Sequence, residues 1–265
     1  MAAPLSVRRA FVDTDEGQMH VRMSGARKAA AAPLLLLHQS PASSLVYAEL
    51  LPLLGEKRWS IALDTPGFGE SFRPRKQPSI QDYARWIVAA ADALEIARFD
   101  LFGMFTGAGT ASEIAAHFPD RVRRLILAGP PLFTAEQQAH FAANAWPMRP
   151  REDGSHLIAE WKRVMDRPMP GVSFARRCDA FQEFYRGGEN AIWGEAAIAA
   201  YDLRATLPHI GAPALVIEPQ GIHGDCAAAT ALIPDARLET MDHLGYAMLQ
   251  AVPEKVAACV DRFLS

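Results

Sequence analysis

The sequence is poor in the features that assign a function quickly. Its 265 residues hold three cysteines, Cys178, Cys226 and Cys259, scattered and without C-x-x-C spacing. An odd, dispersed set excludes a disulfide framework and reads as three reduced, mostly buried thiols. No run approaches eighteen consecutive apolar residues, so no transmembrane helix and no membrane partner are expected. The opening "MAAPLSVRRAFVDTDEG" lacks an apolar run followed by a cleavage site. No signal peptide is expected there, and the default location is the cytoplasm. The formal net charge is −3, too small to indicate nucleic acid or a charged surface as partner. No internal repeat is visible. No G-x-G-x-x-G follows a strand to cradle a phosphate, and His38, His156, His223 and His243 match no metal-ligand spacing. Neither a metal nor another cofactor is expected.

What is present is apolar patterning. Half of the residues are hydrophobic, enough for one large domain or one domain with an insert. "RRAFVDT" and "MHVRMS" alternate as a hairpin joined by "DEGQ". "PLLLLHQS", "WSIALD", "FDLFG", "RLILAGPP" and "APALVIEP" are short continuous apolar runs, the pattern of strands buried on both faces. "ARLETMD" reads as a further strand. "SIQDYARWIVAAADALEI" has helical periodicity, with Ser79 as N-cap and Asp82 in the first turn. "TASEIAAHF" and the closing "PEKVAACVDRFL" are also helical, the latter with Pro253 near its first turn. Strands alternating with helices predict a mostly parallel sheet covered on both faces, an α/β architecture.

Residues 132–205 break that rhythm. They contain Trp146, Trp161 and Trp193, helical stretches such as "AEQQAHFAANA" and "HLIAEWKRVMD", and no clear buried strand. The predicted organisation is a core in two parts, 1–131 and 206–265, with a helical cap insert, 132–205. The cap would lie over the C-terminal strand ends, where open α/β sheets bind ligands.

"DLFGMFTGAGTASEIAAHFPDRVRRLILAGPP", Asp100 to Pro131, reads as strand, sharp glycine-flanked turn, helix, strand. Four landmarks follow one another along the chain: "LLLLHQSP", "LDTPGFGES", "GMFTG" and "MDHLGYAMLQAVPEKVAACVDRFL". In this order and strand context the chain resembles the α/β-hydrolase superfamily with a helical cap, over nearly its whole length. The resemblance implies an α/β-hydrolase fold, a mostly parallel central sheet with helices on both faces. It places an oxyanion loop at "HQSP", a nucleophile elbow at "GMFTG" and the general-base histidine at His243.

The chain departs from that pattern where the chemistry is concentrated. The elbow position, filled in the family by Ser, Asp or Cys, holds Phe105, which has no nucleophilic atom. Thr106 is expected to offer its backbone N–H, with its side chain turned elsewhere. Gln39 stands where a glycine is usual and brings a side-chain donor and acceptor into the loop. The third triad member is expected in "EPQGIHGDCAAA", where Ile222 fills the usual aspartate position. Asp225, with the loop bent, and Glu218 remain as alternatives for orienting His243. Asp64 and Ser71 are read as structural in the turn after the fourth strand. His20, His117, His140 and His209 are read as ordinary, without partners in register.

The candidate catalytic residues are therefore His243, Asp225 and Gln39. The candidate binding residues are His38, Ser40, Met104, Phe105, Thr106 and Trp161. Two functions are in view. One is an enzyme without a covalent step, with His243 as base and Gln39 plus backbone N–H groups holding a developing anion, of hydrolase or lyase type. The other is a catalytically inactive ligand-binding pseudohydrolase. Either takes a small organic molecule as substrate or ligand, and a homodimer is compatible with both. "HQSPASS" also resembles the H-G-N-P loop of haloalkane dehalogenases, whose activity needs an elbow aspartate that is missing here.

Overall fold

The computed structural model describes residues 5–143, 151–219, 221, 224–241 and 245–265. The strands are β1 (Arg8–Thr14), β2 (Gly17–Ser24), β3 (Leu34–Leu37), β4 (Ser60–Leu63), β5 (Phe99–Met104), β6 (Val122–Ala128), β7 (Ala214–Pro219) and β8 (Ala236–Met241). They form one eight-stranded sheet in the order β1-β2-β4-β3-β5-β6-β7-β8. The β1–β2 and β2–β4 pairs are antiparallel, and every other pair is parallel. The central strands β3, β4 and β5 are buried at every residue, whereas the edge strands β1 and β8 bury one residue each, Val12 and Met241. That contrast is why the central strands read as continuous apolar runs.

Helices fill the connections: α1 (Leu50–Gly55), α2 (Ile80–Ala93), α3 (Thr106–His117), α4 (Ala135–Ala143), α5 (Ser155–Asp166) and α6 (Phe174–Arg186). They continue with α7 (Trp193–Ala199), α8 (Leu203–Thr206), α9 (Cys226–Leu232), α10 (Met248–Ala251) and α11 (Pro253–Leu264). The two-residue period of the strands sorts the core onto two faces. Leu35, Leu37, Ile61, Leu63, Leu101 and Leu127 pack against α2 and α3. Leu34, Leu36, Ala62, Phe102, Ile126 and Ile217 face α1 and α11 on the other side. This is the α/β-hydrolase fold expected from the sequence.

Ser79 caps α2 in a reciprocal box with Asp82, and Pro253 stands in the first turn of α11, as their sequences predict. The short α1 in "LLPLLG" and helix α6 were not legible in the chain. Helices α4 to α7 lie between β6 and β7 in the sequence. Among the described residues no helix is long and apolar enough to cross a membrane.

Candidate functional site

The site begins at the C-terminal end of β5. Phe105 joins β5 to α3 with φ +48° and ψ −108°, in the left-handed half of the map that a bulky residue rarely enters. The turn this conformation makes is tight. A Cβ on Gly107 would lie 2.3 Å from the Leu37 carbonyl oxygen, so only glycine lets α3 start against the end of β3. Phe105 is buried and meets Phe133 edge to face, with ring centroids 6.1 Å apart.

The loop after β3 is held from behind. The Thr65 N–H donates to His38 Nε2 at 2.9 Å, and His38 Nδ1 faces the Gln39 carbonyl oxygen at 2.9 Å. A nitrogen that accepts an N–H carries no proton, and one that faces a carbonyl carries it. His38 is therefore the neutral Nδ1–H tautomer. Its burial pushes the pKa down, against the pull of Asp64. His38 is a brace between loops and not a proton carrier. The Ser40 N–H donates to Thr106 Oγ1 at 2.6 Å, and the Thr106 hydroxyl is 3.2 Å from Ser40 Oγ. The Thr106 side chain thus turns toward the oxyanion loop, contrary to the expectation that it points elsewhere.

Asp64 knots the neighbouring turn. Its carboxylate accepts from Ser44 N–H at 2.7 Å, Glu70 N–H at 2.9 Å and His20 Nδ1 at 2.8 Å. The Ser71 hydroxyl donates to the Asp64 carbonyl and accepts the His20 N–H. Burial opposes ionisation of Asp64, but His20, His38 and the loop donors outweigh it and hold the pKa down at about 2. The structural reading of Asp64 and Ser71 fits these bonds. His20, read as partnerless, is in fact the buried partner of Asp64, joined across 44 residues that no local register reveals.

A cavity of about 270 Å³ opens above Phe105, with Gln39, Ser40, Pro41 and Val46 on its floor side. Helices α5, α6 and α7 supply the other walls, through Val164, Ala180, Phe184, Glu183, Glu195, Arg163 and Arg176. Arg163 forms an ion pair with buried Glu160, and Arg176 pairs with Glu49 and Asp179. Burial pushes the Glu195 carboxyl up, with Arg163 and Arg167 pulling it back. Helix α7 rests directly on the loop: a Cβ at Gly194 would lie 1.9 Å from Ser40 Oγ. Gln39 is buried, and its Oε1 has no hydrogen-bond partner among the described residues.

The structure brings Gln39, Ser40 and Phe105 together at this cavity, with His38 and Thr106 packed behind Ser40. Met104 is fully buried within β5, in the core on the α1 and α11 side, and does not line the cavity. Trp161 stacks edge to face on Phe174 and Phe181 on the half-exposed side of α5 and α6, away from the cavity lining. Asp225 is exposed and caps α9, with Oδ1 accepting the Ala228 N–H at 2.8 Å. Glu218 accepts from the Thr240 hydroxyl at 3.2 Å. His156 accepts the Arg151 N–H. His243, Ile222 and His223 lie outside the described residues. Glu195 and the cavity arginines were missed in the sequence. A single acid in the apolar "AIWGEAAIAA" was the available signal for Glu195.

An eight-stranded, mostly parallel sheet with a sharp strand-to-helix turn beneath a cavity defines a class. The chain belongs to the α/β hydrolase fold family, whose model matches residues 32–190. Among its relatives is 2-hydroxymuconate semialdehyde hydrolase of Pseudomonas sp. strain CF600. It is 39% identical over 106 residues, 38% of this chain and 37% of that enzyme's length. A haloalkane dehalogenase of Bradyrhizobium diazoefficiens is 28% identical over 245 residues, 87% of this chain and 78% of that enzyme. The enol-lactonase of Burkholderia xenovorans LB400 shares the fold with a TM-score of 0.82 at 21% identity, over 96% of this chain and 99% of that one.

Proposed function

We propose that the chain is an enzyme of small organic substrates that works without a covalent nucleophile, with His243 as general base. The observation that carries this reading is Phe105 at the elbow. It makes an apolar floor for the cavity at the position where a hydrolase of this family presents its attacking atom. A phenyl ring there excludes acyl-enzyme chemistry and desolvates whatever lies above it. His243 would take a proton from the substrate or from a water, and Gln39, buried beside the cavity, would hold the charge that develops. Residues 132–205 would act as the cap that closes the site. Asp225 is the candidate that orients His243, with Glu218 as the alternative.

The relatives include 2-hydroxymuconate semialdehyde hydrolase and haloalkane dehalogenases. Dehalogenation is not proposed, because position 105 has no carboxylate to attack the carbon. The second reading, a ligand-binding pseudohydrolase, is favoured by one observation: the Ser40 N–H is already bonded to Thr106. Profiling the native chain on short-chain esters, lactones, epoxides and β-diketones separates the two. Turnover of any class supports the enzyme. No turnover, with compounds of the same panel raising the melting temperature, supports the binding protein.

A further inference from the structure

A backbone N–H has one proton to give. The Ser40 N–H gives it to Thr106 Oγ1 at 2.6 Å, short for a bond of this type, with Thr106 buried and Ser40 half-buried. Ser40 follows Gln39 in the cavity lining and also lines the small pocket behind it that holds Thr106, so an oxygen entering beside Ser40 would meet this N–H only where Thr106 Oγ1 now stands. Such an oxygen cannot share it on the same axis and must first displace the hydroxyl. The backbone that carries the hydroxyl is held in place. Thr106 is the first residue of α3, its neighbour Phe105 is fixed in a tight turn, and α3 abuts β3 at Gly107. The hydroxyl hydrogen of Thr106 is directed to Ser40 Oγ, 3.2 Å away, so the two residues satisfy each other.

We propose that Thr106 is a resident occupant of the oxyanion position: its hydroxyl oxygen fills the place of a substrate oxygen and keeps the Ser40 N–H closed to ligand. Phe105 and Thr106 then disable acyl transfer twice, once by removing the attacking atom and once by blocking the donor. Restoring a nucleophile alone is insufficient, and removing the hydroxyl opens the hole. The proposal rests on the reading that position 105 is the nucleophile position and His243 its base.

The test uses p-nitrophenyl acetate with Phe105→Ser, the double variant Phe105→Ser/Thr106→Ala, and Phe105→Ser/Thr106→Ser, each checked for folding by circular dichroism. The proposal expects Thr106→Ala to raise the rate of p-nitrophenolate release over Phe105→Ser by about 10²-fold or more, the range of one oxyanion-hole donor. Thr106→Ser, which keeps the hydroxyl, should stay near the Phe105→Ser rate. Equal rates for Phe105→Ser and its Thr106→Ala partner, both zero included, overturn the proposal, as does a gain with Thr106→Ser of the same size as with Thr106→Ala. Adding His243→Ala to the double variant tests the histidine base separately, since the ratio of double to single variant depends on Thr106 alone. A second readout needs no activity. Ser40 amide hydrogen exchange, followed by NMR in the native chain, should accelerate at least ten-fold in Thr106→Ala, and an unchanged rate contradicts the bond's role.

Discussion

Single residues set the site by what they tie together. Asp64 collects three donors from three segments, and its pKa falls from the usual 3.8 to about 2. A depressed carboxylate contributes stability above its unfolded pKa and loses it as the pH falls through the folded one. Asp64 should therefore contribute on the order of 2 kcal/mol at pH 6, lost between about pH 4 and pH 2. Urea unfolding from pH 6 to pH 2.5 checks this, with Asp64→Asn predicted to be less stable at pH 6 and flatter with pH. The turn motif "LDTPGFGES" made the structural role of Asp64 legible. Its partner His20 was not, because the bond crosses from β2 to the end of β4 and depends on sheet order. Glu195 was hidden for a similar reason, since only the docking of α7 onto Ser40 turns a helical acid toward the cavity.

At the scale of elements, strands and caps were legible because their signals are local. Continuous apolar runs marked the buried strands, and Ser79 with Asp82 marked the start of α2. Ser79→Ala should cost about 1 kcal/mol, read as a lower melting temperature with the same unfolding slope in urea. The start of α3 depends on a close approach that spacing only hints at. A methyl group at Gly107 would meet the Leu37 carbonyl, which is backbone and cannot rotate away. Gly107→Ala should destabilise by about 1–3 kcal/mol or more. It should also disturb the Ser40–Thr106 bond, visible as a shift of the Ser40 amide resonance. Helix α6 escaped notice because its residues are mostly half-buried, with polar and apolar ones nearly equal in number, and it packs on α5 rather than on the sheet.

The whole molecule is closed by charge as well as by apolar packing. Buried Arg58 pairs with Asp261 of α11 at 2.8 Å and stands 3.9 Å from Asp100, which Arg123 also grips through two bonds of 2.8 and 2.6 Å. The cluster joins β4, β5, β6 and the last helix. Removing one partner leaves buried charge uncompensated, so Asp100→Ala should cost about 3–5 kcal/mol in urea unfolding. A frame held this firmly keeps the elbow and the oxyanion loop in fixed relation, and the chemistry then depends on what fills them. On the proposed reading Phe105 removes the covalent route, and a histidine base is the centre of the account. The most direct test is kcat/KM of the native chain and of His243→Ala on whichever substrate of the panel turns over best. The account predicts a loss of 10²-fold or more in His243→Ala, the range of a general base. Retention within a few-fold, or covalent modification of the native chain during turnover by intact mass, would contradict it.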